Sequence, residues 1–82
     1  MVKRIVTYEG ERVKQSRWLT NALNERQITV SELARRMHVT RQMVYNLLHG
    51  HQRMTFLHVI AICYLLKLED DPKEIYKQIN EN

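Results

Sequence analysis

Two helix-start signals, at Thr29 and Thr40, constrain this chain more than any other feature in it. Residues 29–32 read Thr-Val-Ser-Glu. In this arrangement a threonine oxygen accepts from the backbone N–H three residues on, and the glutamate reaches back. Thr40 is a natural N-cap for a second helix. A helix that starts after Thr29 must therefore end before Thr40, leaving about two turns and a tight connection. Leu33, Ala34 and Met37 fall on one face of the first segment, with Arg35 and Arg36 outward. The second segment, over 40–49, turns Val44 and Leu47 inward and stops at Gly50, a C-cap. Arg41, Tyr45 and His49 are four apart, as are Gln42 and Asn46, so these five share one exposed stripe.

The rest of the chain reads as helix too. Its 82 residues include two Gly and one Pro, which leaves little room for long loops. Residues 2–8, VKRIVTY, are rich in β-branched side chains and predict a short strand or an ordered arm. From Glu11 to about Gln27 the pattern is helical, with Trp18, Leu19, Ala22 and Leu23 on one face. Residues 55–67 are apolar on most sides, including Phe56, Val59, Ile60, Cys63 and Leu66, and predict the central helix of the core. Asp71 as N-cap, Pro72 at N1 and Glu74 at N3 announce a last helix, with Ile75, Tyr76 and Ile79 on one side. The expected fold is all-α: five helices over 11–82 preceded by an arm over 1–10.

Charge divides the chain. Residues 1–53 carry ten Lys/Arg and four Asp/Glu, a net +6, and residues 54–82 carry three and five, a net −2. A basic surface suits nucleic acid or an acidic protein. The single Cys63 cannot form an intrachain disulfide, which fits a reducing compartment, and its apolar surroundings predict a buried, inert thiol. The run FLHVIAICYLL is too short and too polar to span a bilayer. No charged-then-apolar signal sequence opens the chain, so a cytoplasmic location is expected. The four His residues lack the Cys or HExxH partners that zinc sites show, so no metal and no cofactor are expected. Neither a phosphate-binding glycine loop nor a nucleophile elbow nor an apolar carboxylate pair is present. An enzyme, or a site for a small-molecule substrate, is not expected.

Two short helices with a three- to four-residue turn, here over 30–49, are the sequence form of a helix-turn-helix, whose second helix enters the major groove. Ala34 is small where the helices would cross, and Val39 plugs the turn. Over roughly residues 19–79 the sequence resembles the Cro/lambda-repressor (xenobiotic-response-element) family of helix-turn-helix regulators. The matching text is ITVSELARRMHVTRQMVYNLLHG followed by FLHVIAICYLLKL. The resemblance implies a five-helix lambda-repressor-like domain that binds double-stranded operator DNA, often as a dimer. Three positions depart from the pattern. His38 stands where the family usually has a left-handed Gly. Leu23 and Leu48 stand where relatives often bury an Arg–Glu pair. A packed apolar pair replaces a buried ion pair with little loss, so Leu23 and Leu48 are expected to touch.

Carried over residue by residue, the resemblance puts base reading on Arg41, Gln42 and Asn46, with Tyr45 between them. Arginine suits guanine O6/N7, and Gln or Asn suits adenine N6/N7. Backbone clamping falls on Thr29, Thr40, His49 and Arg53. One recognition helix reads only a few base pairs, so a homodimer on two half-sites about 34 Å apart is expected. The first candidate surface is Ile75, Tyr76 and Ile79, for want of an evident intrachain partner, and the second is the RIVTY arm. The expected role is transcriptional regulation, by repression. The rival reading is a protein-binding adaptor or antitoxin-like module, using Tyr45, Met54 and Tyr76.

Overall fold

The computed structural model describes residues 12–80, and the arm expected over 1–10 lies outside them. Five helices follow in order: α1 Val13–Arg26, α2 Val30–Met37, α3 Arg41–Leu48, α4 Phe56–Leu65 and α5 Pro72–Ile79. No strand forms among the described residues. The chain is the all-α, five-helix domain that the pattern predicts.

The starts follow the cap signals. Thr29, Thr40 and Thr55 have extended backbones, and each hydroxyl accepts the N–H three residues on. Asp71 accepts from Lys73 N–H in front of Pro72. One detail differs at Thr29. Glu32 does not reach back to it but takes Arg35 at 2.7 Å and Arg36 at 3.0 Å. Two cations on the same helix outcompete one backbone N–H. The reciprocal box instead forms at Thr55, where His58 Nδ1 accepts the Thr55 N–H at 3.0 Å.

The ends share one device. α1, α2 and α4 finish with a left-handed, non-glycine residue: Gln27 (φ 55°), His38 (φ 61°) and Lys67 (φ 56°). At each, the next N–H reaches back to close the turn: Ile28 to Leu23, Val39 to Ala34, Leu68 to Cys63. Those next residues, Ile28, Val39 and Leu68, are apolar and pack against the core. This is the Schellman arrangement with its hydrophobic contact. A side chain in this backbone region costs on the order of 1 kcal/mol, and the bonds and apolar contact offset it. Among the described helix ends, glycine follows only α3, where Gly50 is buried at φ 77°.

The core gathers Leu19, Leu33, Val44, Leu47, Met54 and Ile62, all at 0% exposure, with Ala34 at 3% between α2 and α3. Trp18 is half-buried and packs against it. Leu23 and Leu48 line the same groove beside Ile28 and Val30. They lie on one side of the core, as their joint departure from the family pattern requires.

Two expectations are corrected here. Ile75 and Ile79 do have intrachain partners, being core residues at 5% exposure each. Tyr76 is half-buried, its ring 5.4 Å from that of Phe56. The helix α4, expected to be buried on most sides, leaves Leu57 (75%), Ile60 (38%) and Tyr64 (80%) exposed. It has α5 on one flank and α2 on another, and its apolar residues outnumber the neighbours that could cover them.

Candidate nucleic-acid interface

The exposed side of α3 is held by what lies beneath it. Val44 and Leu47 anchor its inner face at 0% exposure. Its C-terminal end is tied to α1 by polar groups. Ser16 Oγ donates to the Leu48 carbonyl at 2.6 Å, and Arg12 Nη1 donates to the Gly50 carbonyl at 3.3 Å. The strongest tie is Gln15, a polar side chain only 2% exposed. Its Nε2 donates to the Leu47 carbonyl at 2.8 Å and to the Gln52 carbonyl at 2.9 Å. Its Oε1 accepts the Met54 N–H at 2.8 Å. One amide thus satisfies three backbone groups, one in the last turn of α3 and two in the 49–55 connection. A buried backbone group without a partner is costly, so this connection needs such a hub. Sequence reasoning missed Gln15. The signal was there: 15, 19 and 22 follow the i, i+4, i+7 spacing of the α1 core face, and position 15 is the polar one.

On this support α3 turns its polar stripe outward. Arg41, Gln42 and Tyr45 are exposed and Asn46 is half-buried. Arg41 Nη1 lies 3.4 Å from Ser31 Oγ, which steadies it against the start of α2. Gln42 Nε2 donates to Asn46 Oδ1 at 3.0 Å. Tyr45 stacks on His49, ring centres 5.9 Å apart and planes 5° from parallel. His49 in turn lies 6.3 Å from His51.

The residues expected to clamp phosphates sit on surrounding backbone ends. Thr29 and Thr40 are exposed caps, each accepting one backbone N–H at 3.1 Å. A hydroxyl used this way still has its O–H to donate. Unpaired amides and the helix dipole favour an anion beside these two helix starts. His49 is exposed at the C-cap of α3, and Arg53 is exposed in the connection to α4.

Arg35 and Arg36 are committed elsewhere. Both pair with Glu32, and the two guanidiniums hold its carboxyl below the usual value of 4.5. Exposed pairs of this kind contribute little to stability. With two arginines on one glutamate, the outer face of α2 keeps one net positive charge.

Cys63 is buried, and burial together with Asp70 and Asp71 pushes its thiol pKa up, so it stays protonated at neutral pH. Among the described residues no three His, Cys, Asp or Glu side chains are grouped to hold a metal, and no helix is long and apolar enough to cross a membrane. Met54, one of three residues in the protein-adaptor reading, has no exposed surface.

The family model for the Cro/C1-type HTH DNA-binding domain matches residues 19–81. No curated protein and no solved structure matches the chain. The family match covers α2 to α5 and most of α1, and it includes the whole exposed stripe of α3. The chain belongs to the Cro/C1-type helix-turn-helix DNA-binding domain family.

Proposed function

We propose that the protein is a sequence-specific repressor that seats α3 in the major groove of double-stranded DNA. One observation carries this reading: four side chains able to read bases, Arg41, Gln42, Tyr45 and Asn46, stand on one outward stripe of α3, the helix that Thr40 caps. The stripe supplies base-edge contacts, and Thr29, Thr40, His49 and Arg53 grip the flanking phosphates. Phosphate contacts fix register, and base contacts supply sequence preference. The protein acts by binding, without catalysis, in the cytoplasm where its DNA lies. A bound domain blocks other proteins from the same DNA, which is sufficient for repression.

The working form in this reading is a homodimer. Two turns of helix meet only a few base pairs, and a second copy doubles the site read. With Ile75 and Ile79 inside the core, the better-supported surface is α4. Leu57, Ile60 and Tyr64 lie three and four residues apart, so they form one apolar stripe. A two-fold contact uses the same patch on both copies, so this one stripe can serve both sides of the interface. The helix Phe56–Leu65 carries no Asp, Glu, Lys or Arg, so no like charges meet there.

Selection of bound sites from random duplex DNA tests the reading. Wild type should enrich a two-part site, and Arg41→Ala should relax preference at one or two base pairs. Affinity should also fall steeply with salt, the log–log slope gaining roughly −0.9 per phosphate neutralised. A shallow slope would point to a protein partner, and a monomer at high concentration with and without DNA would remove the dimer. A reporter whose output rose on binding would remove repression.

A further inference from the structure

We propose that His49 and His51 form a proton-linked phosphate clamp at the end of α3, so that the protein binds DNA more tightly as pH falls through the imidazole range. The proposal deepens the DNA-binding reading and rests on it. It gives a role to His51, which the sequence pattern left without one, and it makes DNA affinity a function of pH.

The two rings stand together. His49 and His51 are both exposed, on either side of the buried Gly50. Their ring centres are 6.3 Å apart. Tyr45 stacks on His49 at 5.9 Å and limits where that ring can turn. Backbone bonds hold the segment. The His49 N–H donates to the Tyr45 carbonyl at 2.8 Å, and the His51 N–H donates to the Asn46 carbonyl at 2.9 Å. Both residues are thus fixed to the last turn of α3, beside the stripe that faces DNA.

Their surroundings decide what a proton does there. Residues 33–68 contain no Asp and no Glu. That stretch includes α3, α4 and the connection between them. Within the connection the charged neighbour is Arg53, which is exposed. α4 brings His58, whose Nδ1 is turned to the Thr55 N–H. α3 packs against α1 and α2. From α1 comes Arg12, whose Nη1 holds the Gly50 carbonyl at 3.3 Å. The acid of that helix, Glu25, sits near its opposite end. On α2, Glu32 is taken by Arg35 and Arg36.

The negative end of the α3 dipole favours a cation at this place, while Arg12, Arg53 and the second imidazole oppose one. A DNA phosphate supplies the missing negative charge. An opposite charge favours the charged imidazole, so the bound protein holds more protons than the free one. Affinity therefore rises as pH falls. Imidazoles ordinarily titrate at about 6.5, which places the effect between about pH 7.5 and 5.5. Two imidazoliums this close repel each other, and a phosphate beside them offsets that repulsion as well.

The experiment measures affinity for the duplex recovered by site selection, at pH 7.5, 6.5 and 5.5 and at several salt concentrations. It compares wild type with His49→Gln, His51→Gln and the double variant. Glutamine keeps a hydrogen-bonding head but does not titrate. Both positions are exposed, and thermal melts at each pH confirm that each variant is folded. If phosphate favours the charged ring tenfold, wild-type affinity rises about fivefold per histidine from pH 7.5 to 5.5. The log–log salt slope at pH 5.5 also steepens by roughly 0.9 for each imidazolium that neutralises a phosphate. Each single variant should lose part of both responses, and the double variant should lose both. A pH response that survived in the double variant would come from other groups and would overturn the clamp. A full response in His51→Gln would remove His51 and with it the pair. A pH response without a change in salt slope would mean that the protons act on the fold rather than on a phosphate, and would also overturn it. If wild type selected and bound no duplex at any pH, the DNA-binding reading itself would fall, a result distinct from the others.

Discussion

Helices α4 and α5 teach opposite lessons about the same kind of side chain. By composition α4 is the more apolar, with nine of its ten residues from the apolar set and no Asp, Glu, Lys or Arg. The shorter α5 mixes Ile75, Tyr76 and Ile79 with Lys73, Glu74 and Lys77. Composition alone puts α4 in the centre and leaves the α5 stripe for another molecule. The structure reverses the second half of that expectation. The α5 stripe closes the core, while α4 turns one whole side outward. A narrow stripe is fully covered by one set of neighbours, but a helix apolar all round needs neighbours on every side. A single domain of this size supplies only some of them, and the surplus face is available for association.

That contrast gives its largest expected effect at Ile75. Ile75→Ala should cost about 2–5 kcal/mol, because it empties a site inside the core. Leu57→Ala on the outer side of α4 should stay within about 0.5 kcal/mol of wild type when the chain is monomeric. Chemical denaturation at low concentration compares the two, and similar losses would erase the distinction between the helices.

Next in size is Gln15, which moors the connection leading into α4. Gln15→Ala strands the Leu47 and Gln52 carbonyls and the Met54 N–H. A loss of about 1–3 kcal/mol is expected, with faster amide exchange across residues 49–55. Wild-type stability and wild-type exchange together would show that α4 is held by its apolar face alone.

The smallest effect concerns His58, at the start of α4. Burial lowers its pKa below 6.5, and its Nδ1 must be unprotonated to accept the Thr55 N–H. The unfolded chain therefore binds this proton more readily than the folded one, and folding stability rises with pH in this window. The contribution is fully present above about pH 6.5 and is lost as pH falls below it. Glutamine at the same position keeps the capping box but does not titrate. Melting temperatures at pH 7.5 and 5.5 should therefore differ more in wild type than in His58→Gln. Equal differences would remove His58 as the source.

Much of the fold was legible because it rests on local chemistry. Thr29, Thr40 and Asp71 marked helix starts through hydroxyl and carboxylate groups that act within their own turn. The left-handed backbone at His38 followed from the family pattern. The same backbone at Gln27 and Lys67 was less visible, because a Schellman end with a non-glycine residue leaves only an apolar successor as its sign. Gln15 was hidden because its partners lie more than thirty residues away.

The stripe on α3 was fixed by periodicity: positions 41, 42, 45, 46 and 49 must share a side once 44 and 47 are buried. Its division of labour was not. By composition Gln42 and Asn46 are the same amide twice, each suited to adenine. Only the folded helix sets one against the other at hydrogen-bond distance, with Gln42 donating and Asn46 accepting. Local bonds and 3.6-residue spacing are written into the sequence itself. Which apolar stripe is covered, and which polar groups are already spent, depends on neighbours that only tertiary packing brings together.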